Sequence, residues 1–254
     1  MKRMMLLLCT LLPVAGGAYG QDLPDGKKLV DLRGQISTTL ITNHTPDTLK
    51  INTRAFYYTP YYETNAGLTI PPGKTDSGKV SLAYPDFIFL LNYDLRLYNA
   101  PGRRIHAHIN SIKNGSTQVS FTGDLVQEND YYMAYQINFK GLAKETRLYY
   151  TEAAKLQDLN TFPAVADSIN DLALGFLKKY AGPLPSYFKS SEELRLNYNA
   201  AFRKYNVLLE REFKSGKKNL VRASYFDFEK SVPLNPANFV LSTSYIDYAR
   251  NLMF

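Results

Sequence analysis

Asp86-Phe87-Ile88-Phe89-Leu90-Leu91-Asn92-Tyr93-Asp94-Leu95-Arg96-Leu97-Tyr98 decides how the first half of this chain is read. Its odd positions are all apolar, and its even positions turn polar from Asn92 through Asp94 and Arg96. A side-chain period of two predicts a strand with the odd set on one buried face. Asn99-Ala100-Pro101-Gly102 follows as a turn, because proline presets φ and glycine accepts positive φ. Ile105, Ala107 and Ile109 then alternate with His106, His108 and Asn110. Two alternating runs joined by a short Pro-Gly turn predict an antiparallel hairpin.

Outward from this hairpin the β pattern continues. Asn114-Gly115 marks a second tight turn before Gln118 to Thr122. Ile36 to Thr42 and Thr48 to Phe56 read as two earlier strands around Asn43 to Asp47, with Pro71 to Gly78 as loop. Short strands with turn signals at this spacing predict a sandwich.

Beyond about residue 140 the period changes. Val165, Ile169, Leu172, Phe176 and Tyr180 recur at steps of three and four, one face of a helix. Pro163 suits its first turn and Gly182-Pro183 its end. A longer helix is expected from a Ser190/Glu193 capping box, with Leu194, Tyr198, Ala201, Tyr205 and Leu208 as its stripe and Gly216 as its stop. Helical stretches are also expected over 125–139, 223–231 and from Asn235-Pro236 to the C-terminus, where an apolar helix reads as one that continues or docks. The expected fold class is α+β: an N-terminal antiparallel β-sandwich followed by a C-terminal helical segment. The expected domains are a signal peptide at 1–20, the β-sandwich at 21–140 and the helical domain at 141–254.

The leader sets the compartment. Lys2 and Arg3 precede an apolar run from Met4 to Leu12, too short for the ~20 residues of a membrane-spanning helix. Ala18-Tyr19-Gly20 places small residues at −3 and −1 of a cut before Gln21. This is the layout of a secretory signal peptide, and it predicts export to the periplasm or cell envelope with no transmembrane segment afterwards. The chain's single cysteine, Cys9, leaves with the leader. Thiol chemistry is then excluded for the mature chain, and its stability must come from packing. With 20 Tyr, 14 Phe and no Trp, the phenolic and phenyl rings must supply much of that core. The formal charge of +7 is dispersed over short Lys and Arg pairs, not interleaved with aromatics as a nucleic-acid surface requires.

Leu82-Ala83-Tyr84-Pro85, the stretch Leu97 to Gly102, Val119-Ser120-Phe121-Thr122-Gly123 and Glu128-Asn129 together resemble the N-terminal region of envelope TlpA-like thiol-disulfide oxidoreductases. The helical half adds Leu194 to Leu209, Pro233-Leu234-Asn235-Pro236 and Leu241 to Tyr245, so the resemblance covers roughly 80–254. It implies a β-sandwich and helical segment of the kind that precedes a thioredoxin-like domain. That domain's Cys-x-x-Cys pair has no counterpart here, so redox activity does not carry over. The implied partners are a thioredoxin-like domain or another envelope protein.

Candidate sites are few. Phe56-Tyr57-Tyr58-Thr59-Pro60-Tyr61-Tyr62 offers Tyr57, Tyr58, Tyr61 and Tyr62 as ligand-stacking rings, or an edge strand rich in β-formers. His106 and His108 sit two apart on a strand, so both rings point the same way and could begin a metal site if His44 or Asp94 joined them. Exposed polar residues opposite Ile105, Ala107 and Ile109 explain the same spacing without metal. No Gly-x-Ser-x-Gly, phosphate-cradling loop or His-Glu-x-x-His is present, so no catalytic residue and no cofactor is assigned. The reading is a non-catalytic exported interaction or positioning module. Its rivals are a truncated piece of a complete thiol-disulfide oxidoreductase and a free-standing ligand-binding β-sandwich.

Overall fold

A computed structural model describes residues 35–55, 65–82, 84–90, 95–113, 116–139, 142–232 and 243–252. The leader with Cys9, the tyrosine run Tyr57 to Tyr62, Asp94 and the expected helix start at Asn235 lie outside these residues. The protein is mixed in class, with sheets first and helices after. It divides into two compact units, one formed by the described residues up to Asn138 with 182–184, the other by 139–181 and 185–252. Among the described residues, no helix is long and apolar enough to cross a membrane.

Eight strands build the first unit: β1 (Gln35–Asn43), β2 (Leu49–Ala55), β3 (Asn65–Ile70), β4 (Thr75–Leu82), β5 (Asp86–Leu90), β6 (Leu95–Asn99), β7 (Arg104–Lys113) and β8 (Ser116–Gly123). They form two four-stranded sheets, ordered β4-β1-β7-β8 and β3-β2-β5-β6. Every strand sends aliphatic or phenyl side chains into one shared core, from Ile41 and Ile105 in the first sheet to Ile51 and Leu97 in the second. Burying each such side chain is worth about 1.5–3 kcal/mol, and no disulfide is described to help.

Three expectations change here. The run from Asp86 to Tyr98 is not one strand but the antiparallel pair β5 and β6, with Phe87 opposite Tyr98. In β5 the inward set is Asp86, Ile88 and Leu90, the even positions, whereas in β6 Leu95 and Leu97 are buried. The odd-numbered Phe87 is apolar for another reason. A helix, α1 (Val126–Asn138), covers the outer face of β5 and β6, and its Tyr132 ring lies 4.7 Å from Phe87 and 5.7 Å from Tyr98. With both faces of the sheet covered, period two no longer reports a single buried side.

Second, the Pro-Gly turn does not close a hairpin. β6 and β7 belong to different sheets, so Asn99 to Arg103 carries the chain from one sheet to the other. Third, the first sheet is not purely antiparallel: β1 and β7 run parallel, Thr42 opposite His108. The stretch expected as loop up to Gly78 is strand from Thr75 onward, pairing along β1. The β7–β8 hairpin does form where Asn114-Gly115 predicts it, with Lys113 opposite Ser116.

α1 is tied to the sheet by one side chain. Asn129 is 1% exposed and mimics a neighbouring strand. The backbone N–H of Tyr98 donates to its Oδ1, while its amide donates to the Tyr98 and Leu125 carbonyls, all at 2.8–2.9 Å. β6 is the edge of its sheet, where exposed backbone groups otherwise invite pairing with another chain.

The second unit holds α2 (Leu142–Lys155), α3 (Phe162–Lys179), α4 (Ser186–Ser215), α5 (Phe228–Ser231) and α6 (Thr243–Leu252). α3 starts with Pro163 in its first turn, as expected, but its buried face is Phe162, Ala166, Ile169, Asn170, Ala173 and Leu177. Leu172 points to solvent at 62% exposure. The small residues Ala166 and Ala173, which a search for bulky apolar spacing passes over, let α4 pack on that face. α4 begins four residues before the expected cap. Pro185 flanks it, and the Ser190 hydroxyl bonds back to the Ser186 carbonyl inside the helix. Glu192, in the second turn of α4, is buried and accepts from Nε and Nη2 of Arg195 at 2.6 and 2.7 Å.

The α4 stripe is correct. Tyr198, Ala201 and Leu208 are buried in the second core, with Leu194 and Tyr205 packed against it. The core is aromatic: Tyr198 meets Tyr245 edge-on at 5.0 Å, and Tyr205 meets Phe228 edge-on at 5.3 Å. Such pairs add about 0.5–1.5 kcal/mol beyond their area. Two of the hydroxyls that enter this core are partnered. Tyr205 donates to Glu229, and Tyr225 donates to the Lys204 carbonyl at 2.7 Å. Burial pushes the Tyr205 and Tyr225 hydroxyls far above the ordinary tyrosine range. Lys204 is itself buried, its ammonium 2.6 Å from Asp167 and 4.7 Å from the Phe228 ring centre. Gly216 closes α4 at φ +66°, the left-handed position a glycine takes without strain.

Candidate functional site

β7 is central in its sheet, and its alternation decides what the outer face presents. Ile105, Ala107 and Ile109 are fully buried, so Arg104, His106, His108 and Asn110 point outward. On one side β8 sets Thr122 opposite His106 and Ser120 opposite His108. On the other side the parallel β1 sets Leu40 opposite His106 and Thr42 opposite His108.

His44 reaches this face because the parallel ladder runs one step past β1. Its backbone N–H donates to the Ile109 carbonyl at 2.9 Å. The chain turns there on Asn43, fully buried, whose Oδ1 accepts from both the N–H and hydroxyl of Thr45 and whose amide donates to the Asp47 and Ile70 carbonyls. The turn that carries His44 is therefore fixed by buried hydrogen bonds.

The result is a row of three imidazoles. The His44 and His108 rings stack at 5.6 Å with 19° between planes, and the His106 and His108 rings lie 4.0 Å apart. His44 Nε2 is 3.4 Å from His108 Nδ1. Threonines on the flanking strands locate the rest: His106 Nε2 is 2.6 Å from Thr42 Oγ1, which is 2.6 Å from Thr75 Oγ1, and His108 Nε2 is 3.1 Å from Thr122 Oγ1. Partial burial, with the neighbouring His108, Arg104 and His44, holds the His106 imidazole below its ordinary pKa of 6.5. At neutral pH it is an uncharged ring that can take or give one hydrogen bond.

Among the described residues, no group of three or more His, Cys, Asp or Glu side chains is arranged to hold a metal ion. His106 is turned toward Thr42 and so does not complete a set with His44 and His108. The structure thus brings His44 to the two histidines expected from strand spacing. The threonine supports went unread in the sequence because they depend on strand order, in particular on the parallel β1–β7 pair. Tyr57, Tyr58, Tyr61 and Tyr62 lie outside the described residues.

The second unit presents a different surface. At the C-terminal end of α4, Leu209 and Phe213 stand one turn apart at 53% and 90% exposure. The chain then doubles back, with Asn219 donating to the Leu208 carbonyl and to Glu212, and leaves Leu220 at 95% exposure. Two large apolar residues on α4 and a third just after the following turn thus stand in solvent.

Compared with known proteins, the chain matches no family model and no curated protein.

Proposed function

We propose that this chain is a non-catalytic interaction or positioning module of the cell envelope, related to the front half of TlpA-like thiol-disulfide oxidoreductases. In this reading the leader is removed before Gln21, and the mature module carries no thiol of its own. The two sheets of the first unit are the layers of a β-sandwich, an arrangement supported by the single core that all eight strands share.

The observation that carries the interaction reading is the apolar end of α4. Leu209 and Phe213 are exposed one helical turn apart and Leu220 is exposed after the turn that follows, and large apolar side chains grouped in solvent mark surfaces that meet another protein. The partner that fits the resemblance is a thioredoxin-like domain, whether encoded on the same polypeptide or a separate one.

The test mixes the cysteine-free mature chain with a purified envelope thioredoxin-like domain and measures binding by calorimetry. Phe213→Asp combined with Leu220→Asp should abolish the heat of binding while leaving the helical circular-dichroism signal and melting curve intact. Binding that is undetectable with the unaltered chain, or that is unchanged in the double variant, refutes the reading. Insulin-disulfide reduction by the mature chain alone refutes its non-catalytic part.

A further inference from the structure

We propose that His44 and His108 form a two-histidine chelate for a divalent transition-metal ion of the class that favours imidazole, such as zinc, copper or nickel, open to solvent at its remaining positions. This inference is independent of the interaction-module reading.

Three observations carry it. The chain has only three histidines, and all three meet on one sheet face, although His44 and His106 are far apart in sequence. A solvated face needs no such convergence; the rest of this one is carried by other side chains, among them Thr42, Ser120, Thr122, Arg104 and Asn110.

The second observation is a distance. His44 Nε2 and His108 Nδ1 are 3.4 Å apart. N–H donors normally sit about 2.9–3.0 Å from their acceptors, so at 3.4 Å this pair makes only a long, weak hydrogen bond. A tetrahedral ion with metal–nitrogen bonds of about 2.0–2.1 Å separates two ligand nitrogens by about 3.3–3.4 Å. The gap is the edge that such an ion requires.

The third is the support behind the ligands. His108 Nε2 is 3.1 Å from Thr122 Oγ1, so Nε2–H can donate there and leave the Nδ1 lone pair available to an ion. Metal-binding imidazoles commonly use the second nitrogen in this way, which fixes tautomer and ring orientation. His44 is held by its backbone bond to Ile109 and by the Asn43 turn. His106 packs its ring against His108 and is engaged by Thr42, so it is a wall and not a ligand.

The experiment uses tag-free mature protein at neutral pH, titrated calorimetrically with Zn²⁺, Ni²⁺ and Cu²⁺. One ion per chain is expected. His44→Ala and His108→Ala should each weaken binding by about tenfold or more, and His106→Ala should stay within about threefold, given that losing even an outer support typically costs 10–100-fold. None of the three side chains belongs to either core, so circular dichroism should stay unchanged. The Cu²⁺ complex should show paramagnetic-resonance coupling to two imidazole nitrogens. The proposal falls if none of the three ions binds by about 1 mM, a free energy of about −4 kcal/mol. It also falls if His44→Ala or His108→Ala leaves the titration unchanged, or if His106→Ala abolishes binding.

Discussion

Asp86 opens β5 inside the first core, 6% exposed, in register with Asn99 of β6. Its Oδ1 accepts a hydrogen bond from the Phe87 N–H at 2.7 Å, which favours the charged carboxylate, but burial outweighs it and raises the pKa from 3.8 to about 7. A folded pKa above the unfolded one means that the folded chain holds the proton more tightly. The stability this supplies is complete below pH 3.8 and is lost as the pH rises through 7. A rise of about three pH units, each worth about 1.4 kcal/mol, makes the whole loss about 4 kcal/mol, of which about 3 kcal/mol falls between pH 5 and 8.5. Asp86→Asn keeps the shape and the oxygen that receives the Phe87 N–H, and it removes the titration. Urea unfolding of both proteins across that range should show the original chain losing about 3 kcal/mol relative to the variant, a midpoint difference of about 1–2 M at an ordinary urea slope. Every other titrating group is common to both proteins and cancels in the difference. A constant offset between the two curves from pH 5 to 8.5 would refute the argument, because it would mean that Asp86 ionises in the folded core as it does in water.

Asn129→Ala leaves the N–H and carbonyl of Tyr98 without their partner at a buried sheet edge, and should lower stability by about 2–3 kcal/mol in chemical denaturation. Gly123 sits at φ +90°, and a Cβ there would lie 2.6 Å from the Arg104 carbonyl oxygen. Gly123→Ala should therefore cost well over about 1 kcal/mol, read as a lower melting temperature of the first unit. Leu208→Asp buries an unpaired carboxylate in the helical core and should cost about 3 kcal/mol or more. An unchanged denaturation midpoint would mean that Leu208 faces solvent.

Where the sequence was legible, one surface of an element was wet and the other dry. β7 is such a strand, and Ile105, Ala107 and Ile109 against His106, His108 and Asn110 needed only its period. The α4 stripe from Leu194 to Leu208 was legible for the same reason. Asp86 to Tyr98 was misread because α1 dries the second face of β5 and β6, so aromatic residues stand on both sides and the register flips between the two strands. The α3 face was misread because it is built on Ala166, Ala173 and Asn170, while the bulkier Leu172 is left in water. Ser190 and Glu193 have a cap's spacing, yet Pro185 had already started the helix, and capping residues inside a helix simply bond back to the preceding turn.

The histidine row shows how much of a site strand spacing can hold. Period two alone puts His106 and His108 on one face, since both belong to β7. It cannot place His44, whose position depends on β1 lying parallel to β7 in a chain that otherwise pairs antiparallel. A parallel neighbour needs a long crossover, and here β2 to β6, all four strands of the second sheet together with β4 of the first, is that crossover. The turn at Asn99 to Gly102, read as a tight hairpin, is what makes the arrangement possible, because it returns the chain from the second sheet to the centre of the first. The same residues that looked like the end of a hairpin therefore help bring the histidines together: they deliver β7 into the first sheet, where β1 flanks it in parallel and carries His44 to His108.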